Sequence, residues 1–176
     1  MAENTKRKIP DDHPIRALFL QLTERGMGQL KLTDRDTIQY VTNLLIEFVH
    51  IENMYVRDDA GRRLEYSYDI LDRASRAMSP AVRREYYRHV GDLTLFRLGL
   101  FPESFAYGRR TVSPAYYAQQ GRRSYTIVAE MERPEATAIF RKLSEQFEQC
   151  VVGLNWVKLY INDPFYQYLF REFQII

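Results

Sequence analysis

The chain has one cysteine, Cys150, in 176 residues. An intrachain disulfide is therefore excluded, and so are zinc sites built from several thiolates at short spacing. Long apolar runs are also missing. The uncharged stretches Thr37 to Ile46 and Gln149 to Val157 reach only about ten residues, against the roughly 20 needed to cross a bilayer. No membrane-spanning segment is expected. The opening residues carry Lys6, Arg7 and Lys8 but no apolar stretch behind them, so they do not read as a signal peptide, and a cytoplasmic location is expected. A glycine-rich phosphate loop is lacking too, because Gly26-Met27-Gly28 has neither the spacing nor a preceding strand. Runs of alternating polar and apolar residues between turn signals do not occur, which predicts no sheet.

Charge of one sign is in short supply. The formal net charge is +2, too small to argue for a nucleic-acid partner. Its distribution is uneven, however. Residues 83–123 hold eight arginines against three acids (Glu85, Asp92 and Glu103), a local +5, while both flanks are acidic. Arginine outnumbers lysine 20 to 5, and guanidinium suits buried ion pairs as well as planar recognition of carboxylate or phosphate. Arg109, Arg110, Arg122 and Arg123 are the candidate anion-binding residues. The Arg-Tyr interleaving around Tyr116, Tyr117, Arg122, Arg123 and Tyr125 could stack on single-stranded nucleic acid, but 13 tyrosines spread over the chain dilute that signal.

What the sequence does contain is a series of helix starts in front of amphipathic runs. Residues 1–12 read as a flexible tail and 13–176 as one helical domain. His13-Pro14 opens a first helix with Ile15, Leu18, Phe19 and Leu22 at helical spacing, and Gly26 and Gly28 are expected to end it. Thr33-Asp34-Arg35-Asp36 resembles a capping box and launches a helix expected to reach Val56. That helix is apolar over most of its circumference, which predicts a central position. A third helix is expected over 65–77. Ser79-Pro80 and Ser113-Pro114 each combine a serine N-cap with proline at the first helical position, and they predict helices over 80–99 and 114–131. Pro134 begins a stripe of apolar residues through Ile161 that predicts one long helix. A short last helix follows Asn162-Asp163-Pro164. The expected architecture is an all-α, single-domain bundle of six or seven helices. The apolar tail Phe165, Tyr166, Tyr168, Leu169, Phe170, Phe173, Ile175 and Ile176, or the 134–161 helix, is the expected surface for homo-oligomerisation, most simply as a dimer.

Two sets of residues could carry chemistry. Glu47 and His50 form a Glu-x-x-His pair, the arrangement used in di-iron and di-manganese carboxylate bundles. Glu85, His89 and Asp92 share a face of the 80–99 helix at i, i+4 and i+7. Facing one another, the two sets would offer two imidazoles and three carboxylates to iron or manganese. A second Glu-x-x-His is missing, and Asp69, Asp72 and Glu130 are the only obvious substitutes. The plainer reading takes Asp36, Gln39, Asn43, Glu47 and His50 as the solvated stripe of an amphipathic helix, with Arg88 placed to bridge Asp92. On that reading no cofactor is needed. Asp92 and Arg97 lie in an otherwise apolar run and must find partners if buried. Asp92, Arg97 and Tyr125 thus define a candidate buried polar pocket. His13 is expected at the surface, and Cys150, on an apolar stripe, as a core residue rather than a nucleophile.

The segment Gly91-Asp92-Leu93-Thr94-Leu95-Phe96-Arg97-Leu98-Gly99-Leu100-Phe101-Pro102-Glu103, with Tyr116-Tyr117 and Gly121 to Tyr125, resembles a group of uncharacterised bacterial proteins sharing a G-D-x-x-L-F-x-x-G-L-F-P-E signature. The likeness covers about residues 80–130. It implies a bacterial, cytosolic, all-helical protein and transfers no functional residue. The functional expectation is a non-catalytic interaction or regulatory module. The alternatives are a ferritin-like or haem-oxygenase-like di-metal enzyme and, more weakly, an anion or nucleic-acid binder acting through residues 83–123.

Overall fold

A computed structural model of the chain describes residues 8–58, 60–64, 66–105, 113–164, 167, 168 and 171. Seven α-helices account for most of it: α1 (Pro14–Gly28), α2 (Arg35–Phe48), α3 (Ser67–Arg76), α4 (Pro80–Leu100), α5 (Pro114–Met131), α6 (Pro134–Glu145) and α7 (Phe147–Ile161). The all-α bundle is as expected, and the local start signals work where they stand. The side chains of Ser79 and Ser113 accept from the backbone N–H three residues on, and Pro80 and Pro114 occupy the first turns of α4 and α5. At the head of α2, Asp34 accepts from the Thr37 N–H at 2.9 Å and from its hydroxyl at 2.8 Å. His13 caps α1 through Nδ1, which accepts from the Ile15 N–H at 3.2 Å.

Residues 8–12, expected within a flexible tail, are held against α1, and residues 1–7 lie outside the described residues. Ile9 is buried, and the Arg16 guanidinium donates to the carbonyls of Ile9 and Pro10, so residues 8–12 are tied to α1. Gly26 does not end α1. It lies inside the helix where α1 crosses α7, and a Cβ there would sit 2.6 Å from the Gly153 carbonyl oxygen. The helix ends two residues later, with Lys31 in the left-handed conformation usually given to glycine, at φ 58°.

Three further expectations are corrected. α2 stops at Phe48 rather than Val56, because Asn53 folds back and its side-chain amide donates to the Glu47 carbonyl at 2.7 Å, taking the place of a helical N–H. A 3-10 turn, Ile51–Met54, then leads into a two-stranded ribbon, β1 (Val56–Arg57) and β2 (Arg63–Leu64), paired antiparallel with Val56 opposite Leu64. No strand was expected here. The ribbon is organised by Asp58, whose buried carboxylate accepts from the N–H groups of Ala60 and Arg62 and from Arg62 Nε at 2.8 Å. These bonds, the Arg62 N–H first, hold its carboxyl below the usual range despite burial. Finally, the single helix expected over 134–161 is two. Gln146 leaves helical geometry at φ −106° and ψ 20°, because the halves serve different neighbours: α6 packs on α5, and α7 packs on α1 and α4.

α4, not α2, is the central helix. From His89 to Leu100 every residue except Arg97 is buried, and the helix packs against α3, α5 and α7. Glycine makes this closeness feasible: a Cβ on Gly91 would lie 2.6 Å from the Tyr125 ring. α2 instead keeps a wet face, with Asp36, Gln39 and Asn43 exposed and Gln39 donating to Asn43 at 3.2 Å. Of the expected last short helix, Pro164, Gln167, Tyr168 and Arg171 are described and all are helical, whereas the apolar tail apart from Tyr168 and most of the loop 103–112 lie outside the described residues.

Candidate functional site

A charged cluster lies where α2, α4 and α5 meet. Asp92, on the fourth turn of α4, has its side chain in the core, and two tyrosines from the flanking helices reach it. Tyr40 of α2 and Tyr125 of α5 each donate to Asp92 Oδ1 at 2.8 Å. Arg88, one turn back on α4, places Nε 4.0 Å from Oδ2 and a terminal nitrogen 3.3 Å from Glu85. Burial pushes the Asp92 carboxyl up to about 6, against the opposing pull of Arg88 and the two hydroxyls. Burial and the Asp92 charge together raise both tyrosine hydroxyls well above their ordinary range. Burial works against the Arg88 charge, but Asp92, Tyr40, Glu85 and Glu47 outweigh it and the guanidinium is held charged. Both tyrosines are therefore firm donors and Asp92 a firm acceptor. The rings are packed as well: Tyr125 lies within 6.0–6.1 Å of Phe147 and Phe140, centroid to centroid.

Of the expected polar set, the structure brings Asp92 and Tyr125 together and adds Tyr40 and Arg88. Arg97 is not part of it. Five residues beyond Asp92, it stands about 140° round the helix, and its half-buried side chain forms no ion pair with Asp92. Tyr40 escaped the sequence reading because it sits within the apolar run of α2. Its signal is a polar hydroxyl on an inward-facing ring, which a buried tyrosine must satisfy.

The two carboxylate-histidine sets do not converge. The Glu47–His50 pair requires continuous helix, but His50 lies beyond the end of α2 with extended backbone. Glu85 is exposed and paired with Arg84 and Arg88. His89 turns inward, where Nε2 donates to the Met54 carbonyl at 3.1 Å and ties α4 to the turn after α2. Among the described residues no group of three or more His, Cys, Asp or Glu side chains is placed to hold a metal ion. Asp72 pairs with Arg76, and Asp69 and Glu130 join no such group. Cys150 is buried, and desolvation pushes its thiol up to about 12.

Three of the six described arginines in the 83–123 segment are neutralised within the fold. Arg84 pairs with Glu132 at 3.4 Å, Arg88 with Glu85 and Asp92, and Arg122 with Glu148 at 3.2 Å. Arg109 and Arg110 lie outside the described residues. Arg83, Arg97 and Arg123 form no ion pair with a described carboxylate, and Arg123 lines a cleft of about 130 Å³ with Leu71, Tyr87, Gln120, Ser124 and Ile127.

One face of α7 carries a row of exposed apolar side chains. Val152, Trp156 and Leu159 stand at i, i+4 and i+7 and are 42%, 38% and 60% exposed. Trp156 is braced by Tyr160 at 6.3 Å between ring centroids, and Arg25 of α1 lies over the Tyr160 ring at 4.2 Å.

No protein family, curated protein or solved structure matches this chain.

Proposed function

We propose that the protein is a non-catalytic helical interaction module of the bacterial cytoplasm that self-associates through the outer face of α7. The observation that carries this reading is the exposed stripe Val152, Trp156 and Leu159. Large apolar side chains contiguous along a helix face are the usual mark of a protein contact. Between Glu148 and Lys158 the helix has no charged residue, which favours an uncharged partner surface over nucleic acid. The stripe is also self-complementary. Turned about a two-fold axis passing between Asn155 and Trp156, it maps onto itself, with Val152 of one copy against Leu159 of the other. The buried Asp92 cluster supports the same reading, since its polar groups are spent on one another and hold three helices in a fixed arrangement. The free thiol of Cys150 fits a reducing compartment, and no described helix is long and apolar enough to cross a membrane.

A contact built on one helix face lies at the small end of specific interfaces, so the expected dissociation constant is in the micromolar range. Sedimentation equilibrium tests it. The mass should rise from that of the 21.0 kDa chain towards twice that value as concentration increases, and the Val152→Glu, Leu159→Glu double variant should stay monomeric. A monomeric mass at every concentration overturns the proposal.

A further inference from the structure

We propose that the cleft between α3, α4 and α5 binds a small organic monoanion, a short-chain carboxylic acid, with the carboxylate on Arg123 and the aliphatic tail between Leu71 and Ile127. Three observations meet here. The lining residues are Leu71, Tyr87, Gln120, Arg123, Ser124 and Ile127, so one side chain is cationic and none is acidic. Every carboxylate that serves the neighbouring arginines is engaged elsewhere: Glu132 with Arg84, Glu85 and Asp92 with Arg88, and Glu148 with Arg122. Arg123, one residue from Arg122, is left facing the cleft.

The chemistry of the lining selects the ligand class. A guanidinium presents a planar fork that fits the two oxygens of a carboxylate. Gln120 and Ser124 of α5 and Tyr87 of α4 are the neutral polar residues of the lining. A single positive charge balances one negative charge, so a monoanion is matched and a phosphate dianion is left with surplus charge beside Leu71 and Ile127. Size narrows the class further. A cavity of about 150 Å³ admits benzene, and the cleft, at about 130 Å³, has room for a slightly smaller molecule. A four-carbon acid is of that size. Arg123 itself is exposed, so water competes for it and the expected affinity is millimolar.

The test uses the full chain and follows amide chemical shifts during titration with three probes: butyrate, butyramide and inorganic phosphate. Butyrate should shift the amides of residues 120–127 saturably with a millimolar midpoint. Butyramide, equal in shape and uncharged, and phosphate should each bind at least tenfold more weakly. Arg123→Gln should weaken butyrate at least tenfold, while Arg122→Gln, which breaks only the pair with Glu148, should leave it unchanged. Equal response to butyrate and butyramide, phosphate binding as tight as butyrate, an unaltered midpoint in Arg123→Gln, or no saturable response to butyrate would each overturn the proposal. The comparison of the two isosteric probes uses the unaltered chain and so does not depend on how any variant folds.

Discussion

Tyr40 and Tyr125, on different helices, donate to the same oxygen of one carboxylate, each at 2.8 Å, with their rings at 84° to one another. Asp92 is thereby a three-helix junction rather than a surface charge turned inwards. Its charge is costly nonetheless: a carboxyl moved from 3.8 to about 6 corresponds to roughly 3 kcal/mol of preference for the neutral form.

This separates two substitutions at one position. Asp92→Asn keeps an acceptor for both hydroxyls and removes the buried charge, so stability at pH 7 should stay within about 1 kcal/mol of the parent. Asp92→Leu leaves both hydroxyls without an acceptor, and each unmet buried group costs about 1–3 kcal/mol. A loss of about 3 kcal/mol is expected in urea unfolding. Equal losses for the two variants would show that the acceptor is not what matters.

The same carboxyl sets a pH dependence. Between about 4 and 6 the folded chain holds a proton on Asp92 that the unfolded chain has released, so this contribution to stability falls as pH rises through that window. Above it the penalty is complete and constant, and below it both states are protonated and it disappears. The difference in urea midpoint between parent and Asp92→Asn, measured from pH 4.5 to 7.5, should therefore shift in favour of the variant as pH rises. A constant difference would contradict the assignment.

Asp34 acts in the opposite sense. Bonds from Lys142 and Thr37 lower its carboxyl from 3.8 to about 2, so its stabilisation is present above the unfolded value and is lost as pH falls through about 2. Asp34→Ala removes the α2 cap together with the Lys142 contact at 2.6 Å that joins α2 to α6. A loss of about 1 kcal/mol is expected for the cap, and Asp34→Asn should recover most of it in thermal unfolding.

Gly91 and Gly28 make a matched pair for substitution by alanine. At Gly91 the new methyl would meet the Tyr125 ring at 2.6 Å. That ring is held in place, because its hydroxyl donates to Asp92 and the rings of Phe140 and Phe147 pack on it. Overpacking of this kind costs about 1–3 kcal/mol, more than the helix propensity of alanine returns. At Gly28 nothing lies within 4 Å, and Gly28→Ala should be neutral or slightly stabilising. Calorimetric melting distinguishes the two.

Cys150 offers a probe of opening. With its thiol raised to about 12 by burial, reaction with an aromatic disulfide reagent at pH 7.5 should be at least about a hundredfold slower in the native protein than in urea, since the thiolate is the reactive form. Fast native labelling would mean that α7 detaches readily.

The parts of the fold that are readable in sequence are those decided within one turn of helix. Ser79-Pro80, Ser113-Pro114 and Asp34 announce α4, α5 and α2 because a cap needs only its own next three residues. The step from Arg88 to Asp92 is equally local. The end of α2 is not, since it depends on Asn53 folding back onto the Glu47 carbonyl, and with it goes the helical spacing on which the Glu47–His50 pairing relied. The break at Gln146 has no local signal either: it exists because α6 and α7 pack on different partners. Tyr40 and Asp92 are 52 residues apart, and only the packing of α2 on α4 makes them neighbours.

The crossing of α1 on α7 at Gly26 and Gly153 joins early chain to late chain. A ribosome delivers α1 long before α7, so Leu22, Met27 and their neighbours emerge without the surface that will cover them. During synthesis α2 can already pack on α1, but the face of α1 that crosses α7 stays uncovered until α7 arrives. Protection of the α1 amides is therefore the natural clock for completion of the fold.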